Sequence, residues 1–203
     1  GLIVVMEAIG KGLNVEPYLA SVVLAGQLIQ QVGSEDQKHA LLEPLIGGEL
    51  KLAFAYAERQ SRYNLADVVC KAEKKGNQFC ITGSKSVVFN AETADKIIVS
   101  VRTSGESISQ AGISLFIVDK GSKGLSTRDY ETVDGLRASE VHFDDVMVDE
   151  SSLIGELGNA YEAIQTVIDS ASAAICAEGV GVITQLREKT VEYLKTRKQF
   201  GQP

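Results

Sequence analysis

An α+β fold is predicted, an antiparallel β-barrel or sandwich with helices on either side, and three observations predict it. Apolar residues follow helical spacing through the first fifty or so positions. Short β-branched and aromatic runs, separated by polar turns about every ten residues, fill the stretch from Ala53 to Gly155. The helical period then returns at Glu156 and holds nearly to the end. The boundaries that follow are 1–52, 53–155 and 156–203.

In the first part, Glu16-Pro17 opens a helix, with Pro17 at the first helical position, where its missing N–H does no harm. Leu19, Val22, Val23, Gly26 and Ile29 keep helical spacing, and Gly33 is expected to close the helix in a left-handed conformation. Ser34-Glu35-Asp36-Gln37 reads as a capping box for a second helix carrying Leu41 and Leu42, which Pro44 is expected to limit. In the second part, "VVCKAEKKGNQFCITG" is strand, Gly76-Asn77 turn, strand. "KIIVSV" and "ISLFIV" are two further strands flanking a polar, glycine-containing loop, and "VHFDDVMV" alternates as another. In the third part, Leu157, Tyr161, Ile164, Ile168, Ala171, Ile175, Val182 and Leu186 trace one face of a helix of some 40 residues, roughly 60 Å long. Small residues crowd its middle, and Gly179 and Gly181 each cost about 1 kcal/mol against alanine, which close approach of another helix would explain.

Composition excludes several classes. An apolar content of 44% with 23% charge suits a cored globular protein and not a disordered chain. A net charge of -7 opposes a dedicated nucleic-acid binder. Three cysteines without C-x-x-C spacing fit a reducing compartment, although Cys70 and Cys80 could face each other on a hairpin. His39 and His142 have no ligand-like neighbours, so no metal is expected. The apolar stretch from Tyr18 to Ile29 is too short to span a bilayer, and the start lacks signal-peptide features. The expected location is the cytoplasm. "GVGV" is no dinucleotide fingerprint, because no strand precedes it and the third glycine is missing.

The order of these parts, ending in "YLKTRKQFGQP", resembles the acyl-CoA dehydrogenases over essentially the whole chain. "GSEDQKHALLEPLIGGEL" looks like the family's approach to its β domain, and "GLRASEVHFDDVMVDESSLIGE" like the segment leaving it. "TRKQFGQP" matches the signature R-x-Q-F-G-x-P. The resemblance implies part of an N-terminal helical domain, a middle β domain and the first helix of a C-terminal four-helix bundle. It also implies a fragment, with the rest of the bundle beyond Pro203. The implied activity is α,β-desaturation of an acyl-CoA thioester in fatty acid metabolism, with FAD as the hydride acceptor. A carboxylate must lie within reach of the α-proton, and hydrogen bonds to the thioester carbonyl must stabilise the developing enolate.

The resemblance carries over unevenly. The family motif T-E-P-x-x-G-S-D is "AERQSRYN" here: Glu58 is kept, Ala57 stands for the threonine, Tyr63 for the serine and Asn64 for the aspartate. Tyr56 and Ala57 could still offer backbone N–H groups to the isoalloxazine edge. The motif W-I-T-N-G is "VVFNA": Val87 replaces the tryptophan and Phe89 the threonine, and Asn90 matches. Arg197, Gln199 and Phe200 match positions that reach a partner protomer's flavin and its pyrophosphate. Arg197 could equally be a solvated cation near a helix C-terminus, favourable by about 0.3–1 kcal/mol. No catalytic base is assigned: the family's alternative base position on the long helix is Ala171, followed by Ser172, and neither Asp169 nor Glu178 occupies it. The altered motifs are similar to those of small subunits acting on dicarboxylyl-CoA thioesters such as pimeloyl-CoA. A non-catalytic subunit of a heteromeric dehydrogenase therefore stands beside the enzyme reading. Either way, the apolar face of the long helix implies a homo- or hetero-oligomer.

Overall fold

The computed structural model describes residues 1–200. The chain divides into two compact units, one spanning Pro17–Ile168 and one joining Gly1–Glu16 to the stretch from Asp169 onward.

In the larger unit a π-helical run, Leu19–Gly26, continues as α-helix through Gln27–Val32; together they form α2. Val23, Leu28 and Ile29 are fully buried. Ser21, buried in the π-helical run, accepts the Leu52 N–H at 3.2 Å and donates to the Leu52 carbonyl at 2.8 Å, which anchors α2 to the sheet. Gly33 is extended (φ -68, ψ 149) and not left-handed. Glycine stands there because a Cβ would lie 2.6 Å from the Ile29 carbonyl oxygen. The capping box forms as the residues demand: Ser34 Oγ accepts the Gln37 N–H at 3.2 Å and Gln37 Oε1 accepts the Ser34 N–H at 3.1 Å. It opens α3, Glu35–Ile46, and Pro44 lies inside this helix, so the proline does not limit it.

One sheet of eight strands follows: β1 Leu52–Ala55, β2 Lys71–Lys75, β3 Gln78–Phe89, β4 Lys96–Arg102, β5 Ile113–Asp119, β6 Leu125–Glu131, β7 Arg137–Asp149 and β8 Leu153–Ile154. Its order is β6-β7-β3-β2-β4-β5-β8, with β1 on β4. The α+β class holds. The sheet is open and not a closed barrel, since β6 and β8 end the path without pairing to each other. Most pairings are antiparallel, as in the full register of β4 with β5 from Lys96↔Asp119 to Arg102↔Ile113. β1 runs parallel to β4, and β2 meets β4 in parallel at Lys71↔Arg102. The unbroken burial of β4 from Ile97 to Arg102 fits this, because a strand covered on both faces has no solvent side to show, and its one hydroxyl, Ser100, is hydrogen-bonded inside. Phe79, Ile81, Ile97, Val99, Phe116, Val141 and Val146 form the core, with the Phe79 and Phe116 rings 4.8 Å apart.

α4 spans Tyr161–Thr196, 36 residues or about 54 Å, slightly shorter than the spacing suggests. Leu157 precedes it in a turn. Its first turns pack in the larger unit through Ala163, Ile164 and Val167. Further along, the buried line passes through Ala171, Ala174 and Ala177, while Ile175, Val180, Ile183 and Leu186 are exposed. The face traced from sequence therefore splits after Ala171: small residues turn inward and large ones outward.

The smaller unit contains α1, Leu2–Gly12, a helix the sequence reading did not resolve. α1 supplies the close neighbour expected at Gly181, whereas Gly179 has open space around it and no such neighbour. A Cβ on Gly181 would lie 2.7 Å from the Lys11 nitrogen, and one on Gly10 would lie 2.8 Å from the Glu178 carbonyl carbon. Lys11 and Glu188 pair across the same crossing at 3.3 Å. By length and composition α4 could also cross a membrane, and it is the one such helix among the described residues.

Candidate functional site

Two segments meet at the end of β1. Tyr56 and Ala57 leave that strand, and the Ala57 carbonyl accepts the Ser86 N–H of β3 at 2.8 Å. Val87 follows, inside a register shift of the β3–β7 ladder between Lys85 and Val88. Its φ of 53 is the left-handed region, where a β-branched residue is an outlier, and its side chain is 45% exposed. The fold thus brings Tyr56, Ala57 and Val87 together. Phe89, half-buried, ends β3 opposite Ala138. Tyr63 stands in a turn with its ring 99% exposed. Arg197, Gln199 and Phe200 belong to the other unit, just past α4. The Arg197 guanidinium lies 5.2 Å from the Tyr193 ring centroid, and the Phe200 ring is exposed. Gly201 and Pro203 of the "TRKQFGQP" ending lie outside the described residues.

Beneath the Tyr56–Val87 junction lies a buried ion pair. Lys85 is fully buried, and its Nζ donates to Glu58 Oε1 at 2.7 Å, Ser100 Oγ at 3.0 Å and the Tyr56 carbonyl at 3.2 Å. The Glu58 carboxylate also accepts from the Gln60 amide at 2.8 Å, Val69 N–H at 2.9 Å and Cys70 N–H at 3.1 Å. Burial pushes the Glu58 carboxyl up, but the Lys85 charge and these hydrogen bonds outweigh it and hold the group below the ordinary carboxylate value. The neighbouring Cys70 thiol is pushed up to about 11, chiefly by burial. Sequence reasoning kept Glu58 but missed Lys85. The signal was there in the alternation of β3, where Phe79, Ile81, Gly83 and Lys85 share the core face.

A second buried cation, Arg102, spends its guanidinium on carbonyls alone. Nη1 donates to Ser109 and Ala111 at 2.9 and 2.7 Å, and Nη2 to Ala66 and Ser107, both at 2.8 Å. It ties the loop after β4 to the one before β2. Ala171 is buried and has no ionisable atom. Among the described residues no group of three His, Cys, Asp or Glu side chains could hold a metal. Cys70, Cys80 and Cys176 are free thiols, and Cys80 faces Asp145 at 3.2 Å instead of Cys70. A groove of about 780 Å³ between α3 and the β8 region is lined by Asp36, Gln37, Lys96, Asp119, Leu153 and neighbours, and contains none of the candidate cofactor-binding residues.

Residues 53–146 match the acyl-CoA dehydrogenase middle domain. The chain is 30% identical to a 3-(aryl)acrylate reductase of Clostridium sporogenes over 99% of its own length and 54% of that protein's. It belongs to the acyl-CoA dehydrogenase family. A short-chain-specific acyl-CoA dehydrogenase of Clostridium acetobutylicum is 32% identical over 88% of this chain and 48% of the relative. The butyryl-CoA dehydrogenase of Megasphaera elsdenii superposes with a TM-score of 0.92 at 28% identity, covering 99% of this chain and 54% of that structure. The chain thus spans about half the length of the relatives it matches. Within the family motif, the glycine position is held by Arg62, whose φ of 50 explains why a glycine suits it.

Proposed function

We propose that these 203 residues are part of a flavin-dependent acyl-CoA dehydrogenase of the cytoplasm, which desaturates an acyl-CoA thioester between its α and β carbons. The observation that carries the reading is the Tyr56–Ala57–Val87 junction, a kinked and solvent-facing edge in a chain of this family. The junction suits a flat ring met through backbone groups and apolar surface. Ala57 and Phe89 lack hydroxyls, so contact here does not depend on side-chain donors. FAD, when bound, supplies the hydride acceptor.

In this reading Tyr56 and Ala57 offer backbone hydrogen bonds to the ring edge, while Val87 and Phe89 give it apolar surface and Tyr63 closes over it. Arg197 pairs with phosphate oxygens through its planar fork, with Gln199 and Phe200 beside it, across an interface between protomers. The α-proton goes to a carboxylate outside these residues, since Ala171 can accept none. Anaerobic addition of acyl-CoA to the full-length parent should bleach its flavin absorbance. A protein that binds FAD yet is reduced by no acyl-CoA would refute the desaturase reading.

A second reading rests on the altered positions Ala57, Tyr63, Val87 and Phe89. Here the parent is a non-catalytic subunit that lends Arg197 and packing surface to a partner of its own family. It would purify colourless and become yellow only as a complex.

A further inference from the structure

Stability alone does not account for the Glu58–Lys85 pair. A buried ion pair gains little over apolar residues of the same volume, because desolvation offsets the attraction. What this pair has is connectivity. Through one ammonium and one carboxylate it ties together the end of β1 (Tyr56 carbonyl), β3 (Lys85), β4 (Ser100) and the loop entering β2 (Val69 and Cys70 N–H). The two segments it fixes are those of the candidate flavin edge: Tyr56–Ala57, and the kink one residue beyond Ser86. Val87 holds a left-handed conformation that costs of order 1–3 kcal/mol and persists only where its surroundings over-determine it. The Ser86–Ala57 hydrogen bond and the Lys85 anchor on Tyr56 are such surroundings.

We infer that Glu58 and Lys85 are positioning residues for the flavin: the pair sets the spacing between the Tyr56–Ala57 backbone and the Val87 kink. This rests on the flavin reading given above. Neither residue touches the cofactor in this account. Both act through the backbone they hold.

The test uses the full-length parent, titrated with FAD by flavin fluorescence and melted without FAD. Wild-type protein is titrated first; if it binds no FAD, the flavin reading fails and the inference falls with it. The double variant E58Q/K85M removes both charges and keeps similar volumes. It should melt within about 3 °C of wild type without FAD, yet bind FAD about tenfold more weakly. Affinity within twofold of wild type would overturn the inference. So would weaker binding matched by a proportionate loss of melting temperature, which marks a structural role only. If the double variant does not fold, Ser100→Ala decides, since it removes one hydrogen bond from the Lys85 ammonium and no charge. About threefold weaker FAD binding at an unchanged melting temperature supports the inference, and unchanged affinity overturns it.

Discussion

Three glycine-to-alanine changes in α1 and α4 should differ in sign, and the structure says why. Alanine is favoured over glycine in a helix interior by about 1 kcal/mol. At Gly179 nothing lies within 4 Å of the added Cβ, so Gly179→Ala should stabilise by about that amount. At Gly181 the new atom would sit 2.7 Å from the Lys11 nitrogen and closer still to the Glu7 carbonyl oxygen. Ordinary Cβ contacts lie at 3.4 Å and beyond, and the obstacle is backbone that cannot swing aside. The helices must part, and overpacking of that kind costs about 1–3 kcal/mol, with the upper end fitting an overlap with main chain. Subtracting the helix gain leaves Gly181→Ala destabilising by about 2 kcal/mol. Gly10→Ala meets the Glu178 main chain from the other side and should behave alike. Urea unfolding followed by far-UV circular dichroism measures all three. If Gly181→Ala stabilises as much as Gly179→Ala, the close crossing of α1 and α4 is wrong.

Other consequences follow from single groups. Arg102→Met takes a donor from five carbonyls, of which Ala66 and Ser107 keep the Val68 N–H while those of Val68, Ser109 and Ala111 lose the bond Arg102 gives them; it should cost about 2 kcal/mol, read as a lowered urea midpoint, and a loss under about 0.5 kcal/mol would mean the loops do not depend on it. Arg62→Gly relieves a left-handed non-glycine residue at some cost in chain entropy, for a net gain of about 0.5 kcal/mol in the same assay. Native protein should bind one equivalent of iodoacetamide at pH 8, at exposed Cys176, because Cys70 and Cys80 are buried; unfolding should release all three thiols to mass-spectrometric detection. Glu58 has its folded value lowered, so its contribution is complete above the ordinary carboxylate value and is lost as pH falls through the folded one. Wild-type stability should therefore drop relative to E58Q/K85M below about pH 4, and parallel pH profiles would show that Glu58 does not titrate as described.

Much of the fold was legible because the sheet announces itself. "KIIVSV" and "ISLFIV" are β-branched runs that could be little else, and they pair residue for residue. The Ser34–Gln37 capping box was legible because its chemistry is local. β1, four residues long, and β6, polar on one side, carry too little periodicity to read. α1 was hidden for another reason: "LIVV" has the composition of a strand, and only its docking through Gly10 and Gly181 reveals a helix. At the candidate site, sequence named Tyr56, Ala57 and Val87 but not what holds them. Lys85 looked like one more surface lysine. The alternation of β3 puts it on the core face, but the partners that make a buried ammonium tolerable there, Glu58, 27 residues earlier in the chain, and Ser100 of β4, are too distant for that pattern to name.

The most direct test of the account is hydrogen exchange of the full-length parent with and without FAD. With FAD bound, exchange should slow in the peptides covering residues 53–60 and 84–90, the two arms of the Tyr56–Val87 junction. FAD binding that leaves both peptides unchanged would contradict the account.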